Sequence, residues 1–193
     1  MEPAVTTVVP ATADRFEDVV TVLGGSEHSC LCQYWRMSSG DYSRSTHEGR
    51  LDALRGQLEE TPAPGMLAYV DEEPAGWLGF GPRNRVERLV RSRTIPAIDD
   101  VPVWSIYCFT VRVGYRRQGI ARALLHGLVD YARDEGAPAL EAYPVDTAGR
   151  RIHGTAAYVG TAGMFEAAGF RRVVETDARS ERLPRWLVRL DLR

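Results

Sequence analysis

At 193 residues, 44% hydrophobic and 26% charged, the chain has the size and composition of one ordinary soluble domain with a sizeable core. Its formal charge of -2 offers no global basic field for DNA. All 24 basic residues are Arg, which excludes a P-loop lysine, a Schiff-base lysine and the lysine of a kinase fold.

The first residues, Met1-Glu2-Pro3-Ala4, carry no basic region or apolar run of a signal peptide, and no later stretch is apolar enough to span a bilayer. With only Cys30, Cys32 and Cys108, cysteine usage fits a reduced compartment, so the expected location is the cytoplasm, away from membranes.

In chain order, Thr6–Pro10 reads as a β-branched strand and Ala13–Leu23 as a helix, with Phe16, Val19, Val20 and Leu23 at helical spacing and Gly24-Gly25 as its stop. The stretch from His28 to Met37 reads as irregular. Ser45 and Glu48 stand in capping-box register before Leu51, Leu54 and Leu58, predicting a helix to about Glu60. Met66–Val70 and Ala75–Gly81 form an expected hairpin around Asp71–Pro74. Residues Pro82–Pro102 make an Arg-rich connection, longer than the usual connection of about 4–6 residues. Trp104–Val113 is the strongest strand. Ile120–Glu135 is the strongest helix, with Leu124, Leu125, Leu128, Val129 and Ala132 on one side and Gly136 as its stop. Ala139–Tyr143 reads as a strand, Thr161–Ala168 as a short helix ended by Gly169, and Arg171–Glu175 and Trp186–Leu192 as closing strands. No repeat, low-complexity tract or linker divides the chain, so residues 1–193 read as a single domain of α/β order.

Strand Trp104–Val113, a tight turn, helix Ile120–Glu135 and strand Ala139–Tyr143 make a βαβ unit, which requires parallel strands and a right-handed crossover. The turn Arg116-Arg117-Gln118-Gly119-Ile120-Ala121 carries the chemistry. Gly119 and Ala121 are small enough for a ligand to approach the backbone, and Arg116 and Arg117 add charge. The helix opens without Ser, Thr, Asp or Asn, so its first N–H groups lack a side-chain cap. Bare donors at a positive dipole end suit a diphosphate. Neither a Gly-x-Ser-x-Gly elbow nor a completed dinucleotide fingerprint is present; Gly79-Phe80-Gly81 runs into Pro82-Arg83-Asn84.

Arg116-x-x-Gly119-x-Ala121, after Val111-x-Val113 and before Leu124-Leu125, resembles the acetyl-CoA motif of the GNAT superfamily of N-acetyltransferases. Met164-Phe165-Glu166-Ala167-Ala168-Gly169-Phe170 resembles that family's later helix, and the element order matches from Thr6 to Leu192. The resemblance implies a mixed, mostly antiparallel sheet of about seven strands, flanked by helices, with the parallel pair splayed to admit the cofactor arm. It implies that the N–H groups of Gln118, Gly119, Ala121 and Arg122 hold the pyrophosphate, with Arg116 and Arg117 close by. Phe109, Val111 and Val113 would pair with the pantetheine amides, and one of their N–H groups would polarise the thioester.

The implied reaction is direct attack of a primary amine, on a small molecule or peptide, upon the thioester of acetyl-CoA, with no metal. Relatives commonly carry a Tyr as general acid four residues before the final Gly; Phe165 stands there and has no proton to give. Tyr158 and Tyr143 are the nearest replacements, and Tyr158 also lies near the cofactor arm. Glu141 is the candidate base, against the alternative of a surface carboxylate, and Asp146 ranks behind it. Tyr34, Trp35 and Trp77 are the candidate acceptor-pocket residues, with plain core packing as the alternative. His28, Cys30 and Cys32 fall short of four zinc ligands, and packed thiols are the expected reading. Two other readings stay open: another acyl donor (a longer acyl-CoA or an aminoacyl-tRNA, with Arg85, Arg88, Arg91 and Arg93 as a local basic patch), and a non-catalytic acyl-CoA sensor. The acceptor is not specified by the sequence, and family members are often homodimers.

Overall fold

The computed structural model describes residues 5–150 and 157–193, so the reading of Met1–Ala4 lies outside the described residues. Seven strands form one sheet in the order β1-β2-β3-β4-β5-β7-β6: β1 Thr6–Pro10, β2 Gly65–Val70, β3 Glu73–Pro82, β4 Trp104–Val111, β5 Ala139–Ala142, β6 Arg171–Ser180 and β7 Leu183–Asp191. All neighbours are antiparallel except β4 and β5. That parallel pair is the consequence of the βαβ unit, whose crossover helix α6 spans Ile120–Asp134. Among the described residues no helix is long and apolar enough to cross a membrane.

Two helical layers cover the sheet. On one face lies α6, which buries Ile120, Leu124, Leu125, Leu128, Val129 and Ala132 against Met66, Leu78, Ile106 and Leu140. Each large side chain so buried contributes about 1.5–3 kcal/mol, which makes this stripe a principal anchor of the layer. The short helix α7, Ala162–Ala167, sits on the same face over β6 and β7. The opposite face carries α1 (Phe16–Leu23), α2 (Gln33–Arg36), α3 (Ser39–Arg44), α4 (His47–Gln57) and α5 (Glu87–Val90), packed around Trp77, Tyr107 and Leu187.

Several expected boundaries shift for local reasons. The stretch from His28 to Met37 is not wholly irregular: Leu31 and Cys32 at positive φ turn the chain into α2. The cap of α4 is Thr46, whose hydroxyl accepts from the Gly49 N–H at 3.1 Å, so Ser45 and Glu48 do not form the capping box. Ser45 instead ends α3 and donates to the Tyr42 carbonyl. The closing strands are longer than expected, because Glu181 and Arg182, both at positive φ, make a two-residue hairpin turn of the kind that matches strand twist.

Candidate active site

The expected cofactor turn is the mouth of α6. Gly119 takes φ +84° as the residue before the helix and, having no side chain, makes no cap hydrogen bond to the first amides. A β-carbon at Gly119 would meet nothing within 4 Å, so the backbone here faces open space. The concavity in front of it, about 430 Å³, is lined by Val111, Arg117, Gly119, Ala121, Arg122 and Met164. These residues fit a diphosphate: free amides, the positive end of a 15-residue helix, and exposed guanidinium groups at Arg117 and Arg122. Gln118 braces the turn by donating from its side-chain amide to the Gly114 carbonyl at 2.7 Å. Arg116 donates from Nε to the Val111 carbonyl at 3.1 Å, clamping the turn to the end of β4.

Beside this turn the parallel pair opens. Pairing holds from Trp104–Leu140 to Ile106–Ala142 and then ceases, while β4 continues to Val111 paired with β3 only. A bulge starts the divergence. Gly79 pairs with Cys108 and Phe80 with Ile106, leaving Tyr107 as the extra residue of β4. A β-carbon on Gly79 would come within 2.5 Å of the Cys32 sulfur and 3.1 Å of the Tyr107 ring, so only glycine admits this packing. A glycine inside a strand marks such a bulge; it was the available sequence signal.

In the opened gap the Phe109 N–H donates to the Tyr158 carbonyl at 2.6 Å. Alternation along the strand sends the N–H and C=O of Val111 to the same edge, consistent with the contact from Arg116. Val113 does not extend this edge: β4 ends at Val111, and Val113 is exposed in the following turn before Gly114 at φ +100°. Phe165 lies beneath, fully buried, edge-on to Phe109 at 6.0 Å and to Phe170 at 5.1 Å.

On the other side of the gap is a cavity of about 660 Å³ whose wall includes Tyr34, Trp35, Arg88, Asp177, Tyr158 and Arg185. A smaller apolar recess of about 370 Å³ continues from it, bounded by Tyr34, Trp35, Tyr158 and the three thiols Cys30, Cys32 and Cys108. Tyr158 is half-buried at the junction, and burial raises its phenol above the ordinary tyrosine range. Cys32 and Cys108 lie side by side. Their contact, with Trp77 Nε1–H 3.3 Å from the Cys32 sulfur and Arg36 nearby, pulls the Cys32 thiol down and drives Cys108 up. Among the described residues no group of three or more His, Cys, Asp or Glu side chains is placed to hold a metal ion.

The other candidates stand apart. Trp77 is fully buried in the layer of α1 to α4, beneath the cavity rather than on its wall. Glu141 is 1% exposed, and its carboxylate accepts from Arg189 Nε at 2.9 Å and from the Tyr143 hydroxyl at 3.2 Å. Arg189 Nη2 also contacts Glu141 and reaches Asp99 at 2.9 Å. Tyr143 is equally closed off, its hydroxyl bonded to Ser105 at 2.9 Å and its pKa raised by burial and by Glu141. Glu141 and Tyr143 are thus members of a filled network behind the gap, without a free face for proton exchange with a substrate. Asp146 is paired with Arg172 at 2.6 Å.

The model of the acetyltransferase (GNAT) family matches residues 31–154. Solved structures share the fold. An acetyltransferase of the GNAT family from Streptococcus pneumoniae is 18% identical with TM-score 0.58, covering 97% of this chain and 99% of that one. The yncA protein of Salmonella typhimurium, solved with its cofactor acetyl-CoA, is 16% identical with TM-score 0.59, covering 97% and 94%. The ribosomal-protein-S18-alanine N-acetyltransferase from Escherichia coli is 15% identical with TM-score 0.53, again covering 97% and 94%. No curated protein sequence matches the chain. With the family model spanning the turn, the opened strand pair and the part of the cavity wall that α2 and α5 supply, the chain belongs to the acetyltransferase (GNAT) family.

Proposed function

We propose that the chain is an N-acetyltransferase that moves an acetyl group from acetyl-CoA to a primary amine of a small molecule or peptide. One observation carries the reading: the uncapped N-terminus of α6 opens on a concavity flanked by Arg117 and Arg122. Bare amides there are satisfied by a bound diphosphate. The N–H groups of Gln118, Gly119, Ala121 and Arg122 hold the pyrophosphate, Arg117 adds charge, and Arg116 keeps the turn against β4. Phe109 and Val111 hydrogen-bond the pantetheine arm as an added strand would.

Acetyl-CoA, when bound, supplies an activated acyl carbon and a thiolate leaving group. Phe109 is the strand donor nearest the amine cavity, and its N–H stabilises charge on the carbonyl once the Tyr158 carbonyl yields it. Tyr158, at the junction of gap and cavity, gives its phenolic proton to the departing thiolate. Glu141 and Tyr143 take no proton; they hold β4, β5 and β7 in place. The amine loses its proton to water through the open cavity.

A second reading, a non-catalytic acyl-CoA sensor, is favoured by the closed contact between Phe109 and Tyr158. Calorimetry with CoA and acetyl-CoA, followed by thiol release across an amine panel, separates the two. Binding with amine-dependent thiol release supports the enzyme, and binding without release supports the sensor. No heat and no competition at millimolar ligand removes both.

A further inference from the structure

Among the described residues, the cavity beside Tyr158 holds a cation without a counter-ion. Arg185, on β7, is 6% exposed. Its Nε donates to the Tyr143 carbonyl at 2.8 Å, but Nη2 is buried with no partner among the described residues. The groups facing it are aromatic: the Trp35 ring, 5.7 Å from the guanidinium carbon, and the phenols of Tyr34, Tyr143 and Tyr158. Residues 151–156 contain no Asp or Glu that would supply the charge.

Arg189 shows what the same strand does elsewhere. Four residues along, on the same face and equally buried, it is gripped by both Glu141 and Asp99. Burying a cation is costly unless it is paired. The guanidinium does not readily escape by losing its proton, although burial does pull it down at Arg185. A second orphan donor borders the same cavity: Trp35 Nε1–H is buried beside the Tyr158 hydroxyl without a hydrogen bond of good geometry. The other described cations of the rim are engaged. Arg91 and Arg179 pair with Glu87 and Glu175, and Arg88 donates to the Tyr34 carbonyl and to Ser39 while stacking 3.8 Å over the Tyr34 ring.

We infer that the acceptor is an amino acid-like molecule, a primary amine that also carries a carboxylate, and that this carboxylate is held by Arg185 with the Trp35 N–H. Among the described residues one unpaired cation lines the cavity, and it matches one negative charge. Among the described residues, a phosphate or a polyanion such as RNA would meet the rim acids Asp177 and Glu181 with too few free cations. The inference rests on the transferase reading but is separable from it.

The test uses the whole protein and the amino acids that carry a primary amine, each beside its own carboxamide, with thiol release from acetyl-CoA as readout. At least one acid is expected to exceed its amide in kcat/KM by about 100-fold, the scale for leaving a buried charge unpaired. Arg185→Met removes that preference and keeps CoA affinity. Its melting temperature holds or rises, because an unpaired buried charge has gone. Binding alone is read with phenylacetate and phenylacetamide as probes: only the acid raises the melting temperature of the wild type, and it does not raise that of R185M. If no acid outperforms its amide and no carboxylate shifts melting while CoA still binds, the inference is overturned and the transferase reading stands. If R185M melts lower and the wild type shows no acid preference, Arg185 is a structural residue.

Discussion

The Phe109 N–H and the Tyr158 carbonyl meet at 2.6 Å across the gap where β4 leaves β5. One residue thereby closes the strand edge with its backbone and presents its phenol to the cavity with its side chain. An incoming carbonyl that takes the Phe109 N–H must displace the Tyr158 backbone, which couples acyl-donor binding to the position of the proposed acid.

Tyr158→Phe tests that acid, because it removes one oxygen and leaves the ring that seals the recess. The expected result is a fall in kcat of about 100-fold, the lower part of the range for general acid catalysis, with little change in KM for acetyl-CoA or in melting temperature. The pH profile gives a second check. Burial raises the phenol, so its acid form persists above the ordinary tyrosine pKa of about 10. The wild-type kcat should therefore rise as the amine deprotonates and not turn down before about pH 10. A basic limb well below that pH would show that some other group gives the proton.

Gly119 is tested against Gly136, which closes the other end of α6. Both have positive φ, +84° and +75°, and a β-carbon at either meets nothing within 4 Å. Replacing each by Trp imposes the same backbone strain, about 1–2 kcal/mol, with no clash at the β-carbon. Melting temperatures should therefore fall by similar amounts in the two variants. Only Gly119→Trp should lose CoA affinity in calorimetry, because its indole covers the amides of the helix mouth. Equal affinities would detach the turn from the cofactor.

Phe165 occupies the position where the resemblance leads one to look for an acid. Its ring is fully buried against Phe109 and Phe170. Phe165→Ala should cost about 3–5 kcal/mol in denaturant unfolding, as large-to-small core changes do. Phe165→Tyr would bury a hydroxyl among rings, at about 1–3 kcal/mol without a partner, and kcat should not rise. A faster Phe165→Tyr enzyme would return the acid to that helix.

The sequence was most legible where a function occupies one continuous stretch. Turn and helix from Arg116 to Asp134 can be read residue by residue, because the missing cap, the glycine and the periodic leucines lie in order. Glu141 was not legible for a physical reason. All four residues of β5 are buried, so a strand covered on both faces has no alternation to show which way a carboxylate points. Trp77 lies in a similarly covered run from Ala75 to Gly81. The cavity draws on α2, Tyr158 and the β6–β7 hairpin, segments far apart in the chain. Arg185 escaped notice because its meaning is a missing partner. Its placement with Leu187 and Arg189 on one inward face of β7 was the signal available.

Glu141→Gln distinguishes a buried brace from a base. The carboxylate is 1% exposed and bound by Arg189 and Tyr143, so removing its charge leaves Arg189 leaning on Asp99 alone. Breaking one side of a buried pair costs about 3–5 kcal/mol; with Asp99 still in place the loss should fall at the low end. Asp99→Asn is the counterpart, and its carboxylate is far more open, with 38% side-chain exposure. Solvent screens that side of the contact, so the loss there should be about 1 kcal/mol or less. Denaturant unfolding of both variants gives the comparison, and turnover is measured below the onset of unfolding. A brace predicts unequal stability losses and near-normal kcat in each folded variant. A base predicts the reverse for Glu141→Gln, full stability with no turnover, and that outcome would reinstate Glu141 in the chemistry.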